Sequence, residues 1–449
     1  MSTNAPNLIF VFPDQMRYQA TGFAGDPNVQ TPHLDQLAES SLNFNLAVSG
    51  CPVCCPARAS LLTGQYPDRH GVFVNDVCLS HEPVSLGEAF GSAGYDTAYI
   101  GKWHLDGHGR ASYIPPERRH GFDFWQVLEC THDYNRSQYY AGNDPTPRWW
   151  AGYDAIGQTR AAQQYINGHS GHNPFLLVLS WGPPHNPYQT APEHYRAKYD
   201  PAALALRPNI PAQAEAQART ELAGYYAHIT ALDDLVGELR RTVQQAGIED
   251  NTIFVFWSDH GDMLHSQGQT RKQRPWEESI RVPLLIHAPA LFGQAGRLID
   301  LPINTPDLMP TLLGLCDLPV PETVQGSDYT PYLKGEGPAP AEAVLLACYH
   351  PFGEYERARG GREYRGVRTN RHTYVRDLSG PWLLYDNEAD PYQQTNLINT
   401  PAAADRQAGL EDQLKQLLAR YDDQFLPGSA YIERWGYQTD ERGTVPYTN

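Results

Sequence analysis

Short, wholly apolar runs recur along the first 300 residues, each closing in polar or glycine-rich positions. Pro6-Asn-Leu-Ile-Phe-Val-Phe-Pro13, Asp96-Thr-Ala-Tyr-Ile100, Pro174-Phe-Leu-Leu-Val-Leu-Ser180 and Asn251-Thr-Ile-Phe-Val-Phe-Trp257 lack the alternation of a half-exposed strand. Unbroken apolarity of this length predicts strands buried on both faces, as in a parallel sheet. Periodic stretches lie between them. Thr31-Pro-His-Leu-Asp-Gln-Leu-Ala-Glu-Ser combines a capping threonine, a proline at the first helical position and i, i+3 apolar spacing. Residues 153–168 predict a second helix. Within 213–246, Leu222, Tyr225, Ile229, Leu232, Val236, Leu239 and Val243 predict a long amphipathic helix lying on the sheet. Trp276 to Ile286 leads into a further buried strand. Alternating strands and helices predict an α/β fold with a large, mostly parallel sheet sandwiched by helices.

Past about residue 340 the pattern changes. Ala343–Cys348, Tyr364–Asp377 and Trp382–Tyr385 read as antiparallel strands, and about 402–424 as a closing amphipathic helix. The expected organisation is an α/β domain over 1–340 and a smaller α+β subdomain over 341–449. Tyr349-His-Pro-Phe-Gly-Glu-Tyr355, with Arg357, is placed to hang over a cleft from that side.

At 449 residues the chain can form one large or two moderate domains. No apolar stretch reaches the roughly 20 residues that span a bilayer. The N-terminus shows neither the basic segment nor the apolar core of a signal peptide, so the chain as written reads as cytoplasmic, or as periplasmic or secreted if a signal was removed. A net charge of −17 argues against nucleic acid as partner and requires a local cationic pocket for any anionic substrate. Seven cysteines, three of them at 51, 54 and 55, read as reduced thiols with one special member rather than as a disulfide framework.

Chemistry concentrates first in Cys51-Pro-Val-Cys-Cys-Pro-Ala-Arg-Ala-Ser-Leu-Leu-Thr-Gly-Gln-Tyr-Pro67. Pro56 is expected at the first helical position, Gly64 as the left-handed stop, and Cys54 just before the helix, facing its unpaired amides. Arg58, four residues on, can return over the same end. Nucleophile, anion-binding helix end and bidentate cation together suit attack on a tetrahedral oxyanion ester.

The buried strands deliver further groups to their C-terminal ends, where ligands gather in open α/β sheets. These are Asp14-Gln15, Gly101-Lys102-Trp103-His104, Pro184-His185 and Ser258-Asp259-His260-Gly261-Asp262, with Lys272 following. Asp14, Gln15, Asp259 and His260 form a candidate metal set in which oxygen predominates, favouring Ca²⁺ or Mg²⁺. The imidazole keeps Mn²⁺ and Zn²⁺ open. Each residue alone would be an ordinary turn, cap or surface charge; their joint occurrence carries the reading. Residues 122–153 are crowded with aromatics, among which His132, Asn135 and Arg136 are interleaved. This segment reads either as an insertion packed on itself or as a platform for a sugar ring, with His132, Arg136 and Trp149 as substrate contacts.

Cys54-x-Pro56-x-Arg58 with Leu62-Thr63-Gly64, and Gly101-Lys-Trp-His104, resemble the motifs of the type I sulfatases of the alkaline phosphatase-like superfamily. The resemblance is ordered over about the first 290 residues and looser beyond. It implies that a maturation enzyme oxidises Cys54 to Cα-formylglycine, that the metal is Ca²⁺, and that residue 54 joins its ligands. The aldehyde hydrate would attack sulfur, His185 or Lys272 would protonate the leaving alcohol, and His104 would take a proton from the second hydroxyl. Arg58, Lys102 and Lys272 would hold sulfate oxygens. The expected substrate is a sulfated small molecule or glycan, with a carbohydrate sulfate favoured.

Gln15 and His260 depart from the commonest family pattern, Asp-Asp and Asp-Asn. Together with Asn75 they are similar instead to the phosphonate monoester and phosphodiester hydrolases of the same superfamily. The Lys102-x-His104 pair tips the reading to a sulfatase. Two other readings are an unmatured sulfated-glycan-binding protein, and Cys51-x-x-Cys54 as a redox pair or half a zinc site. No second Cys-x-x-Cys supports the latter.

Overall fold

The computed structural model describes residues 5–169 and 173–447. The first four residues, on which part of the N-terminal reading rests, lie outside the described residues. The larger sheet contains β1 (Asn7–Asp14), β2 (Leu42–Val48), β3 (Asp96–Lys102), β4 (Phe124–Leu128), β5 (Gln138–Ala141), β6 (Asp144–Trp149), β7 (Phe175–Pro184), β8 (Thr252–Trp257), β9 (Arg281–Val282), β10 (Leu284–His287) and β11 (Arg297–Asn304). Its order is β11-β2-β10-β8-β1-β7-β3-β4-β5-β6, with β9 paired to β2. The centre, β8-β1-β7-β3-β4, is parallel, whereas β10 and the β5–β6 hairpin run antiparallel to their neighbours.

Unbroken apolar strands are needed here because both faces are covered. In β1, Leu8, Phe10 and Phe12 face one core layer while Ile9 and Val11 face the other. The second layer is closed by the long helix Glu215–Gln245, whose Leu222, Tyr225, Ile229, Leu232, Val236, Leu239 and Val243 are all buried. The first is closed by the helices Cys54–Thr63 and Thr305–Leu315. Each such large apolar side chain contributes about 1.5–3 kcal/mol by leaving water. No helix among the described residues is long and apolar enough to cross a membrane.

Four local expectations change. The helix that carries the cysteine motif begins at Cys54 itself, with Val53 as its cap, so Pro56 is third rather than first. Proline is tolerated there because the first intrahelical bond is Ala57 N–H to the Val53 carbonyl, at 2.9 Å, and needs no proline N–H. Gly64 does end the helix, at φ 64°. The segment 122–153 is no separate insertion: β4 extends the parallel sheet and β5–β6 forms its edge, with Phe122, Trp125, Tyr134, Tyr140 and Tyr153 buried. The strands β2 and β11 pair in parallel at the far side and carry no unbroken apolar run.

The fourth change lies near the C-terminus. A separate antiparallel sheet comprises β12 (Ala343–Cys348), β13 (Tyr364–Thr369), β14 (His372–Asp377) and β15 (Gly380–Asp386), in that order. The helix Ala404–Arg420 packs on it. A further helix, Gly428–Trp435, follows where none was expected. Arg365 of β13 secures this region. Its guanidinium is buried, donates to both oxygens of Asp423 at 2.5 and 3.1 Å and to Tyr431 Oη at 3.0 Å, and lies 3.8 Å over the Tyr349 ring. Arg365→Met would strand the buried Asp423 carboxylate and is expected to lower unfolding free energy by about 3–5 kcal/mol, measured by urea denaturation.

Candidate active site

The site sits at the C-terminal ends of the neighbouring strands β8, β1, β7 and β3. Asp14 closes β1, and Gln15 turns the chain at φ 71°, a left-handed conformation costly for a side chain-bearing residue. Tyr225 of the long helix supports that turn, donating to the Gln15 carbonyl at 2.7 Å and accepting from Arg17 N–H at 2.9 Å. After β8, Asp259-His260-Gly261 packs so tightly that a Cβ on Gly261 would stand 2.1 Å from the Glu278 carbonyl oxygen. Gly101 plays the same part in β3, at φ 102° and with its missing Cβ 2.0 Å from the Ser180 carbonyl oxygen.

Arg58 holds the centre. It is 1% exposed and reaches Asp14 Oδ2 and Asp259 Oδ2 at 3.1 Å each, Ser180 Oγ at 2.7 Å and the Lys102 carbonyl at 2.9 Å. Lys102 Nζ lies 2.7 Å from Asp14 Oδ2. The opposite oxygen, Asp14 Oδ1, faces Cys54 Sγ at 3.6 Å and His260 Nε2 at 3.5 Å. Cys54 Sγ is also 3.2 Å from His260 Nε2. Lys272 Nζ donates to Cys54 Sγ at 3.1 Å, Gln15 Oε1 at 3.0 Å and His185 Nε2 at 2.7 Å.

Burial and the Cys54 charge push the Asp14 carboxyl up, but Lys102, His185 and Lys272 outweigh them and hold it well below the usual range. Asp259, disfavoured by burial and by the Asp14 charge, is pushed up to about 6. Burial alone would raise the Cys54 thiol; Lys102, Lys272 and His260 instead bring it well below its ordinary value. His185 is pushed down to about 3 by burial and Lys272. Its Nδ1–H donates to the Asn186 carbonyl at 2.8 Å, so Nε2 is the nitrogen that accepts from Lys272.

These residues suit a divalent cation. Asp14, Cys54, Asp259 and His260 each offer a ligand atom, all within 4.8 Å of one another. His260 Nδ1 is spent on the Gly261 carbonyl at 2.9 Å, which orients Nε2 and its lone pair toward the cluster. Gln15 Nε2 donates to Asp262 Oδ2 at 2.6 Å, leaving Oε1 turned inward.

The structure thus brings Asp14, Gln15, Cys54, Arg58, Lys102, His185, Asp259, His260 and Lys272 together. His104 is buried beside them, with Nε2 3.3 Å from Asp76 Oδ1. His132 stacks on His185 with ring centres 4.6 Å apart. Asn75 accepts from Cys55 N–H at 3.1 Å. Arg136 is exposed, and Trp149 is 54% exposed on the edge strand β6, opposite Gln138. The Phe352–Glu354 segment lies against the strand of chain flanking Lys272, through Gln273 Nε2 to the Phe352 carbonyl at 3.0 Å and Arg271 to Glu354 at 3.4 Å.

Sequence reasoning passed over Ser180, Asp262, Tyr188, Asp76 and Arg110. Asp262 closes the Ser258–Asp262 turn and receives Gln15 Nε2. Tyr188 also donates to it, and Arg271 holds Tyr188 in turn.

Comparison with known proteins agrees with this architecture. The family model "Sulfatase" matches residues 6–318, and a model for the N-sulphoglucosamine sulphohydrolase C-terminal region matches 267–420. An ulvan-active sulfatase of Formosa agariphila is 43% identical over 98% of this chain and 87% of its own. An endo-4-O-sulfatase of Bacteroides thetaiotaomicron is 32% identical over 87% and 88%. A solved structure from the metabolism of multiple glycosaminoglycans by the same bacterium superposes with a TM-score of 0.83, at 28% identity over 99% and 100%. The chain belongs to the sulfatase family and is a sulfatase with the alkaline phosphatase-like fold.

Arg58→Met would leave two buried carboxylates facing each other and is expected to lower unfolding free energy by about 3–5 kcal/mol. Millimolar calcium should then raise the melting temperature of the variant more than that of the wild type, measured by calorimetry.

Proposed function

We propose that this sulfatase hydrolyses a sulfate monoester carried on a carbohydrate, using Cys54 oxidised to formylglycine and a divalent cation, calcium. The observation that carries the reading is the placement of Cys54 Sγ within 3.1–3.6 Å of Lys272, His260 and Asp14. Asp14, Gln15, Asp259, His260 and residue 54 would hold the cation. The glycan preference draws support from the relatives: one is ulvan-active, and another belongs to glycosaminoglycan metabolism.

When bound, the cation and the aldehyde hydrate at 54 supply charge neutralisation and an oxygen nucleophile at neutral pH. The remaining work falls to side chains. Lys102 and Lys272, which Asp14 helps to keep charged against burial, receive sulfate oxygens and stabilise the charge that develops on them. Lys272 sits between residue 54 and His185, so its ammonium can hand a proton to the departing alcohol, with His185 relaying. His104 takes the proton from residue 54 that releases sulfate and restores the resting state. Arg58, whose hydrogen bonds go to Asp14, Asp259, Ser180 and the Lys102 carbonyl, orients the carboxylates from behind. That replaces the direct sulfate contact expected for it.

Cys54 is 1% exposed, so a maturation enzyme must act before this helix packs. Co-expression with such an enzyme should convert Cys54 to the aldehyde in the intact-mass spectrum, while treatment of the folded cysteine form leaves the mass unchanged. The matured protein is expected to turn over a sulfated sugar far faster than a phosphonate monoester. A large preference for phosphonate would overturn the assignment in favour of the hydrolases that Gln15, Asn75 and His260 resemble. Trp149→Ala and Arg136→Ala are expected to raise KM for a sulfated sugar while leaving nitrophenyl sulfate nearly unaffected; equal effects on both would count against the aromatic edge as a sugar contact.

A further inference from the structure

His104 and residue 54 come from different elements, the end of β3 and the start of the nucleophile helix. Something must set their mutual register, and one residue, Asp76, touches both sides, His104 through its carboxylate and the helix through its backbone N–H. Asp76 Oδ1 receives His104 Nε2 at 3.3 Å and Arg110 Nε at 2.9 Å, and Oδ2 receives Arg110 Nη2 at 2.8 Å. Asp76 is also pinned to the helix that begins at Cys54. Its backbone N–H donates to Cys55 Sγ at 3.4 Å, and the preceding Asn75 accepts from Cys55 N–H at 3.1 Å.

The local backbone is bent to make this contact. Asp76 has φ 65° and His104 φ 62°, both left-handed and neither a glycine. Such conformations cost about 1–3 kcal/mol each and persist where the surroundings impose them. Arg110 is immobilised in turn: the Tyr447 ring covers its face at 3.6 Å. With Nε2 engaged, Nδ1 of His104 is left buried and without a hydrogen-bond partner among the described residues. A buried ring nitrogen without a partner is costly unless a ligand or water meets it.

We propose that Asp76, clamped by Arg110, is the positioning residue of His104: it fixes the hydrogen-bearing nitrogen as Nε2 and presents Nδ1 to the reacting group at residue 54. The arrangement has the logic of a carboxylate–imidazole pair in which the acid orients the ring and takes no proton itself. The role given to His104 rests on the sulfatase mechanism above; the geometry that assigns Asp76 does not. A rival account makes Asp76–Arg110 a staple between two loops, with His104 merely adjacent.

Asp76→Asn separates the two, because the amide keeps the shape of the side chain. For the matured enzyme, kcat on a sulfated sugar is expected to fall about 100-fold or more, with KM close to wild type, since the interaction serves a proton transfer and not substrate binding. A second readout needs neither metal nor maturation. In the nitrogen-15 spectrum of histidine-labelled full-length protein, with the His104 signals identified by their loss in His104→Gln, Nε2 should carry the hydrogen. Asp76→Asn should shift that signal. Wild-type kcat in Asp76→Asn, a change in KM alone, or hydrogen on Nδ1 with Nε2 bare in the wild type would each overturn the assignment. If the wild-type enzyme fails to hydrolyse sulfate esters, the mechanism above falls, while the spectrum still decides whether Asp76 holds the ring.

Discussion

Two carboxylates, Asp14 and Asp259, are forced into one buried place, and the guanidinium of Arg58 makes that tolerable. Uncompensated, such a pair would repel strongly in a medium that screens little. Arg58 meets Oδ2 of both from behind, which turns their Oδ1 atoms forward, toward Cys54 and His260. The same guanidinium reaches Ser180 of β7 and the Lys102 carbonyl of β3. One side chain of the helix that begins at Cys54 therefore ties together the ends of β8, β1, β7 and β3. The order of those strands in the sheet is the precondition, because only neighbours could converge on so short a reach.

What lies around that centre follows from it. Lys102 joins Asp14 on the same oxygen as Arg58, so the acid remains charged despite burial. Lys272 closes the opposite side, sharing its ammonium among Cys54, Gln15 and His185. Gln15 is neutral, but Asp262 holds its amide nitrogen, so a carboxylate stands one hydrogen bond behind the amide oxygen. In this way the site recovers some of the negative character that an aspartate at that position would supply directly.

Much of this could be read along the chain. Strands covered on both faces have no polar positions, so β1, β3, β7 and β8 stand out as apolar runs, and a parallel sheet places their polar ends on one edge. Two strands on one flank were hidden by the same physics: in β2 Leu42-Asn-Phe-Asn alternates because one face is only partly covered, and the edge strand β11 is interrupted by Asp300 and Pro302. Arg58 illustrates a subtler limit. Its spacing from Cys54 shows that both occupy one helix end, but not that the guanidinium would turn toward carboxylates 44 and 201 residues away. Asp76 and Arg110 lie on loops without periodicity, 34 residues apart, so nothing local marks them as partners.

The closing segment of the chain returns to the beginning. Tyr437 donates to the Gly71 carbonyl across 366 residues at 3.0 Å, Trp435 packs where a side chain on Gly71 would stand, and Tyr447 covers Arg110. Read in time rather than in space, this sets an order of events during synthesis. Gly71 and Arg110 are made first, and the groups that meet them become available only once Tyr437 and Tyr447 have been joined to the chain. Until then the Asp76–Arg110 pair has no ring over it, so this corner of the site is the last to close, and the delay is set by how far along the chain the covering residues are placed.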